Sequence, residues 1–214
     1  MTRAEFLKMM GAGAAVLALD AVPGASLIQS ANAQTTPLKK NQERLAFGLP
    51  DQEAKVDKPV TAIVIGAGSR GSVYASYSSE YSKALKIVGV ADINSTRRDL
   101  MKNLYGIAPE HCFGDWKEVF NLPKFADAVI IATPDNLHYD PCMVALAAGY
   151  DVLLEKPIAQ TEKECKNILK QAKKYGRIVG VCHVLRYSPY FRALKRVLDE
   201  GRVGDVLSIQ HLEP

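Results

Sequence analysis

The chain reads as an α/β protein built on a doubly wound parallel sheet, and three observations point there. Strand-like and helix-like stretches alternate from residue 59 to residue 182. The stretch Ala126 to Ala132 is nearly continuous apolar sequence, as a strand covered on both faces must be. The first strand, Val60 to Ile65, runs into Gly66-Ala67-Gly68-Ser69-Arg70-Gly71, the G-x-G-x-x-G spacing that turns a strand sharply into a helix.

Taken in order, residues 1–33 are not part of that fold. Arg3 and Lys8 make a basic start, Gly11 to Ala18 is a short apolar core, and Ala31-Asn32-Ala33 is an A-x-A cleavage site. This is an export signal, too short to span a membrane. Thr2-Arg3-Ala4-Glu5-Phe6-Leu7-Lys8 resembles the twin-arginine motif, with Ala4 standing where the second arginine belongs. The protein is therefore expected in the periplasm, free of the membrane once the signal is removed. Residues 34–58 are polar and read as a linker or arm.

Strands are expected at 60–65, 85–91, 126–132, 151–155 and 177–182, with a weaker one at His111-Cys112-Phe113. Helices are expected at 70–80, 95–105, 137–148 and 161–175, with a short one from Asp115 to Phe120. Thr161-Glu162-Lys163-Glu164 is a capping box that opens the long helix, and Gly176 closes it. Repeated strand–helix units of this kind make a dinucleotide-binding domain over 59–182. From 183 to 214 the grammar changes. Ser188-Pro189 opens a helix running to Glu200, and Val206 to Leu212 alternates apolar and polar residues as a strand with one wet face does. A lone strand cannot hold itself, so this region is expected to be the first helix and strand of an incomplete α+β substrate domain.

Composition excludes several classes. Net charge is +4 with no basic cluster, so no nucleic-acid partner is expected. The four cysteines, Cys112, Cys142, Cys165 and Cys182, form no C-x-x-C pair and no metal-ligand spacing, so no metal is expected and buried free thiols are.

The glycine loop carries the first chemistry. Gly66 allows the tight turn, Gly68 lets a pyrophosphate approach the backbone, and Gly71 lets helix and strand pack closely. The second strand ends at Asp92, about 20 residues past the loop, where a ribose-binding acid belongs. A bound dinucleotide is the expectation. Three more stretches sit at strand ends, the ligand side of an open parallel sheet: Ala132-Thr133-Pro134-Asp135-Asn136-Leu137-His138, Glu155-Lys156-Pro157 and His183-Val184-Leu185-Arg186-Tyr187. Lys156 is hard to explain structurally, because a cation on the buried side needs a partner. Asp92 has a plainer reading as a helix cap, His138 as a brace for the helix after it, and Arg186 as the partner of a surface acid.

From about residue 59 to its end the chain resembles the Gfo/Idh/MocA oxidoreductase family. The glycine loop, Ala91-Asp92, Ala132-Thr133-Pro134 with His138, Glu155-Lys156-Pro157 and Arg186-Tyr187 occur in that family's order and spacing. The resemblance implies that Gly66, Gly68, Ser69 and Arg70 hold the pyrophosphate. Asp92 binds the adenosine ribose and favours NAD over NADP, while Arg97 stacks on adenine or meets a 2′-phosphate, which leaves NADP open. Thr133, Asn136 and His138 line the nicotinamide-ribose side. Glu155 and Lys156 face the nicotinamide ribose and the reacting carbon, with Lys156 catalytic near the substrate hydroxyl. Arg186 reaches toward the nicotinamide end.

The implied activity is hydride transfer between NAD(P) and a hydroxyl carbon of a sugar, cyclitol or polyol, in an enzyme expected to be a homo-oligomer when full length. The family's usual base, from an Asp-x-x-x-His-type motif in the second domain, has no counterpart in this sequence. The chain is therefore expected to be the cofactor-binding half. Two alternatives share the same motifs: an NAD-dependent glycoside hydrolase of the same fold, and an inactive nucleotide-binding fragment.

Overall fold

The computed structural model describes residues 57–212. The expected export signal and nearly all of the expected arm therefore lie outside the described residues. The elements run β1 (Val60–Ile65), α1 (Ser69–Glu80), β2 (Leu85–Ala91), α2 (Ser95–Tyr105), β3 (Cys112–Phe113), α3 (Trp116–Val119), β4 (Ala128–Ile131), α4 (Tyr139–Ala147), β5 (Asp151–Glu155), α5 (Glu162–Tyr175), β6 (Val179–Cys182) and α6 (Pro189–Asp199). Short 3₁₀ turns at Pro109–His111, Asp135–Leu137 and Val184–Tyr187 join them.

All six strands are parallel, in the order β3-β2-β1-β4-β5-β6. Strand order therefore reverses between β1 and β4, and ligands of such sheets bind at that switch point, beyond the carboxyl ends of the strands. Successive side chains alternate between two cores. Ala62 and Val64 of β1 face Tyr74 and Tyr77 of α1 and Met101 of α2. Ile63 and Ile65 face Val119, Cys142, Leu146 and Ile168 on the other side of the sheet. Every residue of β4 and β5 is buried, which explains the near-absence of alternation in both sequences.

The local signals act as expected. Thr161 and Glu164 form a reciprocal capping box at α5, and Gly176 ends that helix in the left-handed region. Strand ends shift where side chains take over from the ladder: Asp127 Oδ2 accepts from the N–H and hydroxyl of Thr61, and Asp151 Oδ1 accepts from Ile178 N–H. β4 and β6 accordingly begin later than the apolar runs suggest.

One expectation fails. Residues 206–212 form no strand. Leu207, Ile209 and Leu212 are 80% exposed or more. A strand exists by pairing its N–H and C=O groups, and no described strand lies beside this segment. The helix before it does form, with Pro189 in its first turn, but none of its residues is buried and Tyr190, Leu194 and Leu198 stay exposed. No helix among the described residues is long and apolar enough to cross a membrane, and none of their side chains cluster as a metal site.

Candidate functional site

The glycine loop is built by three glycines with three different reasons. Gly66 has φ +91°, and a Cβ there would lie 2.6 Å from Ala132 O, so the end of β1 abuts the end of β4. Gly71 is closed more tightly still: its Cβ would fall 1.9 Å from Gly66 O. Gly68 differs, because its Cβ would meet only Arg97 Nη1, at 3.7 Å. Packing therefore demands glycine at 66 and 71 but not at 68. The space over Gly68 is open, and it lies at the start of α1. That helix has no side-chain cap and no acidic residue in its first turn. Unpaired N–H groups and the positive end of the helix dipole favour an anion at such a terminus. The residues present therefore fit a pyrophosphate.

Asp92 ties the next strand end to this loop. Its Oδ2 accepts from Ala67 N–H at 2.7 Å and its Oδ1 from Asn94 N–H at 2.8 Å. The helix cap is a neighbour, not Asp92: Asn94 Oδ1 accepts from Arg97 N–H at the start of α2. Arg97 is exposed and reaches the open face of Gly68. Each Asp92 oxygen keeps a further lone pair, so a ribose hydroxyl can still be accepted beside the loop.

The end of β5 is held by a buried ionic cluster. Glu155 is 5% exposed. Its Oε1 accepts from Arg70 Nε at 2.6 Å and from the Tyr74 hydroxyl, and its Oε2 accepts from Lys156 N–H at 2.8 Å. Arg70 Nη2 also donates to the Tyr74 oxygen at 2.7 Å, with its guanidinium over the Tyr74 ring. Burial alone would push the Glu155 carboxyl up; the donors from Tyr74, Arg70 and Lys156 outweigh it and hold it below the usual carboxylate range. Burial pushes the Tyr74 hydroxyl well up, and the neighbouring Cys182 thiol up to about 12, so both keep their protons. Arg70, expected to grip a pyrophosphate, is thus paired with Glu155 and Tyr74.

His138 is fully buried. Its Nδ1 lies 2.6 Å from Pro157 O and its Nε2 2.9 Å from Thr133 O. The ring bridges the loops after β4 and β5. This is a brace, as its plainer reading had it, but between two loops and not for the helix alone. Both ring nitrogens are engaged, so the ring does not line the nicotinamide side directly.

Thr133 is half-buried, with its hydroxyl donating to Leu137 O at 3.0 Å. Ser69, Asn136, Lys156 and Arg186 are exposed. The exposure of Lys156 removes one argument made for it, since a solvated cation needs no partner; what remains is its place directly after Glu155. Side-chain contacts thus join the glycine loop with Asp92 and Arg97, α1 with Glu155, and the Thr133 loop with Pro157. Among the described residues, no such contact joins Arg186 to these groups.

Tyr74 is the residue that sequence reasoning missed. It sits four residues after Arg70, on the same helix face, and no motif includes it. A tyrosine in place of phenylalanine on a buried helix face was the available signal, because a buried hydroxyl needs a partner.

Comparison with known proteins agrees with the fold. Residues 60–183 match the Gfo/Idh/MocA oxidoreductase family with its NAD-binding Rossmann fold. Inositol 2-dehydrogenase of Klebsiella pneumoniae is 32% identical over 148 residues, covering 69% of this chain and 43% of that protein. The crystal structure of myo-inositol 2-dehydrogenase from Lactobacillus plantarum superposes with a TM-score of 0.62 at 25% identity, covering 70% of this chain and 43% of the other. An inositol dehydrogenase homolog from Azotobacter vinelandii, solved with NADH and myo-inositol, gives 0.60 at 23% identity, covering 70% and 41%. The chain spans less than half the length of these relatives. With a match over more than half of its own residues, it belongs to the Gfo/Idh/MocA family of oxidoreductases.

Proposed function

We propose that this chain binds NAD and forms the cofactor half of an oxidoreductase acting on a hydroxyl carbon of a cyclitol, sugar or polyol. The observation that carries the reading is the open space over Gly68 at an uncapped helix start, beside a carboxylate that already holds the loop. Packing does not require glycine at 68, and both features suit a dinucleotide.

The bound cofactor would supply a nicotinamide ring that accepts or returns a hydride. This chain's residues do the rest. The N–H groups at the start of α1 bind the pyrophosphate. Asp92 accepts from the adenosine ribose, which favours NAD, because a 2′-phosphate would face its negative charge. Arg97 lies over the same region and contacts the adenine side. Thr133 and Asn136 flank the switch point toward the nicotinamide ribose. Lys156 extends from the end of β5, where an ammonium can orient the substrate by donating a hydrogen bond to its hydroxyl oxygen. The kinship with inositol 2-dehydrogenases supports a cyclitol as the first substrate to try.

The test has two stages. The 214-residue chain should bind NADH, read by fluorescence titration, and more tightly than NADPH. The protein extended to its relatives' length should then form NADH from NAD and myo-inositol. Absence of NADH binding defeats the proposal. Binding without turnover on any cyclitol, sugar or polyol defeats its substrate part. Export belongs to the same proposal, resting on Arg3, the short apolar core and Ala31-Asn32-Ala33. N-terminal sequencing of the periplasmic protein should begin at Gln34, and a start at Met1 or Thr2 defeats it.

A further inference from the structure

The Arg70–Tyr74–Glu155 cluster is more than the fold requires. A carboxylate at the end of a fully buried strand carries a desolvation cost, and a well-packed apolar set at such a place is commonly as stable or more so. Here three side chains close a ring. Tyr74 donates to Glu155 and accepts from Arg70, and Arg70 donates to both. The second carboxylate oxygen then takes the backbone N–H of Lys156. Two ends of the proposed cofactor site are joined by this route. Arg70 lies in the first turn of α1, two residues past Gly68, and Lys156 begins the loop after β5. Tyr74 is itself 1% exposed and meets the site only through Arg70 and Glu155. Its hydroxyl limits how Arg70 and Glu155 can meet.

We propose that Tyr74 is a positioning residue for the dinucleotide: acting through Arg70 and Glu155, it holds the Lys156 loop in register with the glycine loop. A ligand spanning both loops then binds a frame already in place, without the cost of ordering it. A ligand that reaches only the glycine loop gains nothing from the clamp. This rests on the dinucleotide reading above.

That difference supplies the experiment. NADH and ADP are titrated against the 214-residue chain and its Tyr74→Phe variant, at a temperature where circular dichroism shows both folded. Phenylalanine keeps the ring under Arg70 and removes the hydroxyl that bonds Arg70 and Glu155 and meets Cys182. NADH binding should weaken by about tenfold, within the range of coupling seen in buried networks. ADP binding should change by less than about twofold, because ADP does not reach Lys156. In the double variant with Glu155→Gln, the loss should be no greater than that of Glu155→Gln alone, since the two act as one unit.

Unchanged NADH binding in Tyr74→Phe overturns the inference, as does equal weakening of NADH and ADP, which marks a general loosening. Additive losses overturn it too. Failure of the unaltered chain to bind NADH overturns the dinucleotide reading and this inference with it, whereas a failure confined to the variants leaves that reading standing. Should Tyr74→Phe not fold, Arg70→Lys carries the same comparison: it keeps the charge but cannot reach Glu155 and Tyr74 at once.

Discussion

Substituting alanine for Gly68 separates function from packing within one loop. Gly68 has φ −72° and ψ −166°, an extended conformation that alanine adopts freely. Its added methyl group would come no closer than 3.7 Å to Arg97 Nη1, an ordinary contact with a movable side chain. The folded state therefore loses nothing, and the unfolded chain loses freedom. Stability should be unchanged or raised, by up to about 1 kcal/mol. The same methyl group occupies the space a pyrophosphate would use, so NADH affinity should fall at least about tenfold, roughly 1.4 kcal/mol. Gly71→Ala is the control. Its Cβ would lie 1.9 Å from Gly66 O, a backbone atom that cannot swing aside, so about 3 kcal/mol or more of stability should be lost. Gly66→Ala combines a 2.6 Å approach to Ala132 O with φ +91° and should lose a similar amount. Urea denaturation and NADH titration of the three variants decide the matter. A Gly68→Ala protein that is stable and binds NADH normally would refute the placement of the pyrophosphate; one that unfolds would refute the reading of open space.

Asp92→Ala should weaken NADH more than NADPH, and it should also loosen the loop, because Ala67 and Asn94 N–H each lose a bond worth about 1 kcal/mol; equal weakening of the two nucleotides would refute the ribose role. His138→Ala leaves the Thr133 and Pro157 carbonyls without their buried partner, and about 2–4 kcal/mol should be lost in urea denaturation, with a loss under about 0.5 kcal/mol contradicting the brace. Glu155 has a carboxyl depressed in the folded state, so its stabilisation is present above the unfolded carboxyl's range and is lost as pH falls through the folded value; urea midpoints should drop on acidification into that window, and Glu155→Gln should flatten this segment of the profile. Lys156→Ala, at an exposed position, should leave stability within about 0.5 kcal/mol while abolishing most turnover in an extended, active protein, and unchanged turnover removes it from the chemistry.

The fold was readable because its signals are local. A G-x-G-x-x-G turn, a capping box at Thr161 and a fully apolar strand at Ala128–Ile131 each act within a few residues, and their alternation points to a parallel, doubly wound sheet. Even the two-residue β3 was visible as His111-Cys112-Phe113. What escaped depends on partners distant in sequence. Periodicity placed a strand at 206–212, yet periodicity shows only which face would be wet, and pairing needs a neighbour that the described residues do not supply. The site divides the same way. Spacing named Asp92 and the strand-end residues, but it could not say that Arg70 turns to Glu155, 85 positions away, or that His138 bridges to Pro157, 19 positions away.

Those two long-range contacts bear on how the ligand side of the sheet is held. Loops after β1, β2, β4 and β5 are separate in sequence, and each would be mobile alone. The side chains beneath them join them in pairs: Asp92 to the glycine loop, Arg70 and Tyr74 to Glu155, His138 to Thr133 and Pro157. Ser69, Asn136, Lys156 and Arg186, by contrast, stay exposed on that edge. The motif residues therefore fall into two layers with different jobs. Glu155 and His138 belong to the buried layer, so their loss should act through loop geometry and stability. Lys156 and Asn136 belong to the exposed layer, so their loss should leave the fold intact and act on ligand alone. A motif read as a string makes these residues equivalent; the carboxylate and imidazole inside it hold the frame on which the ammonium and amide are presented.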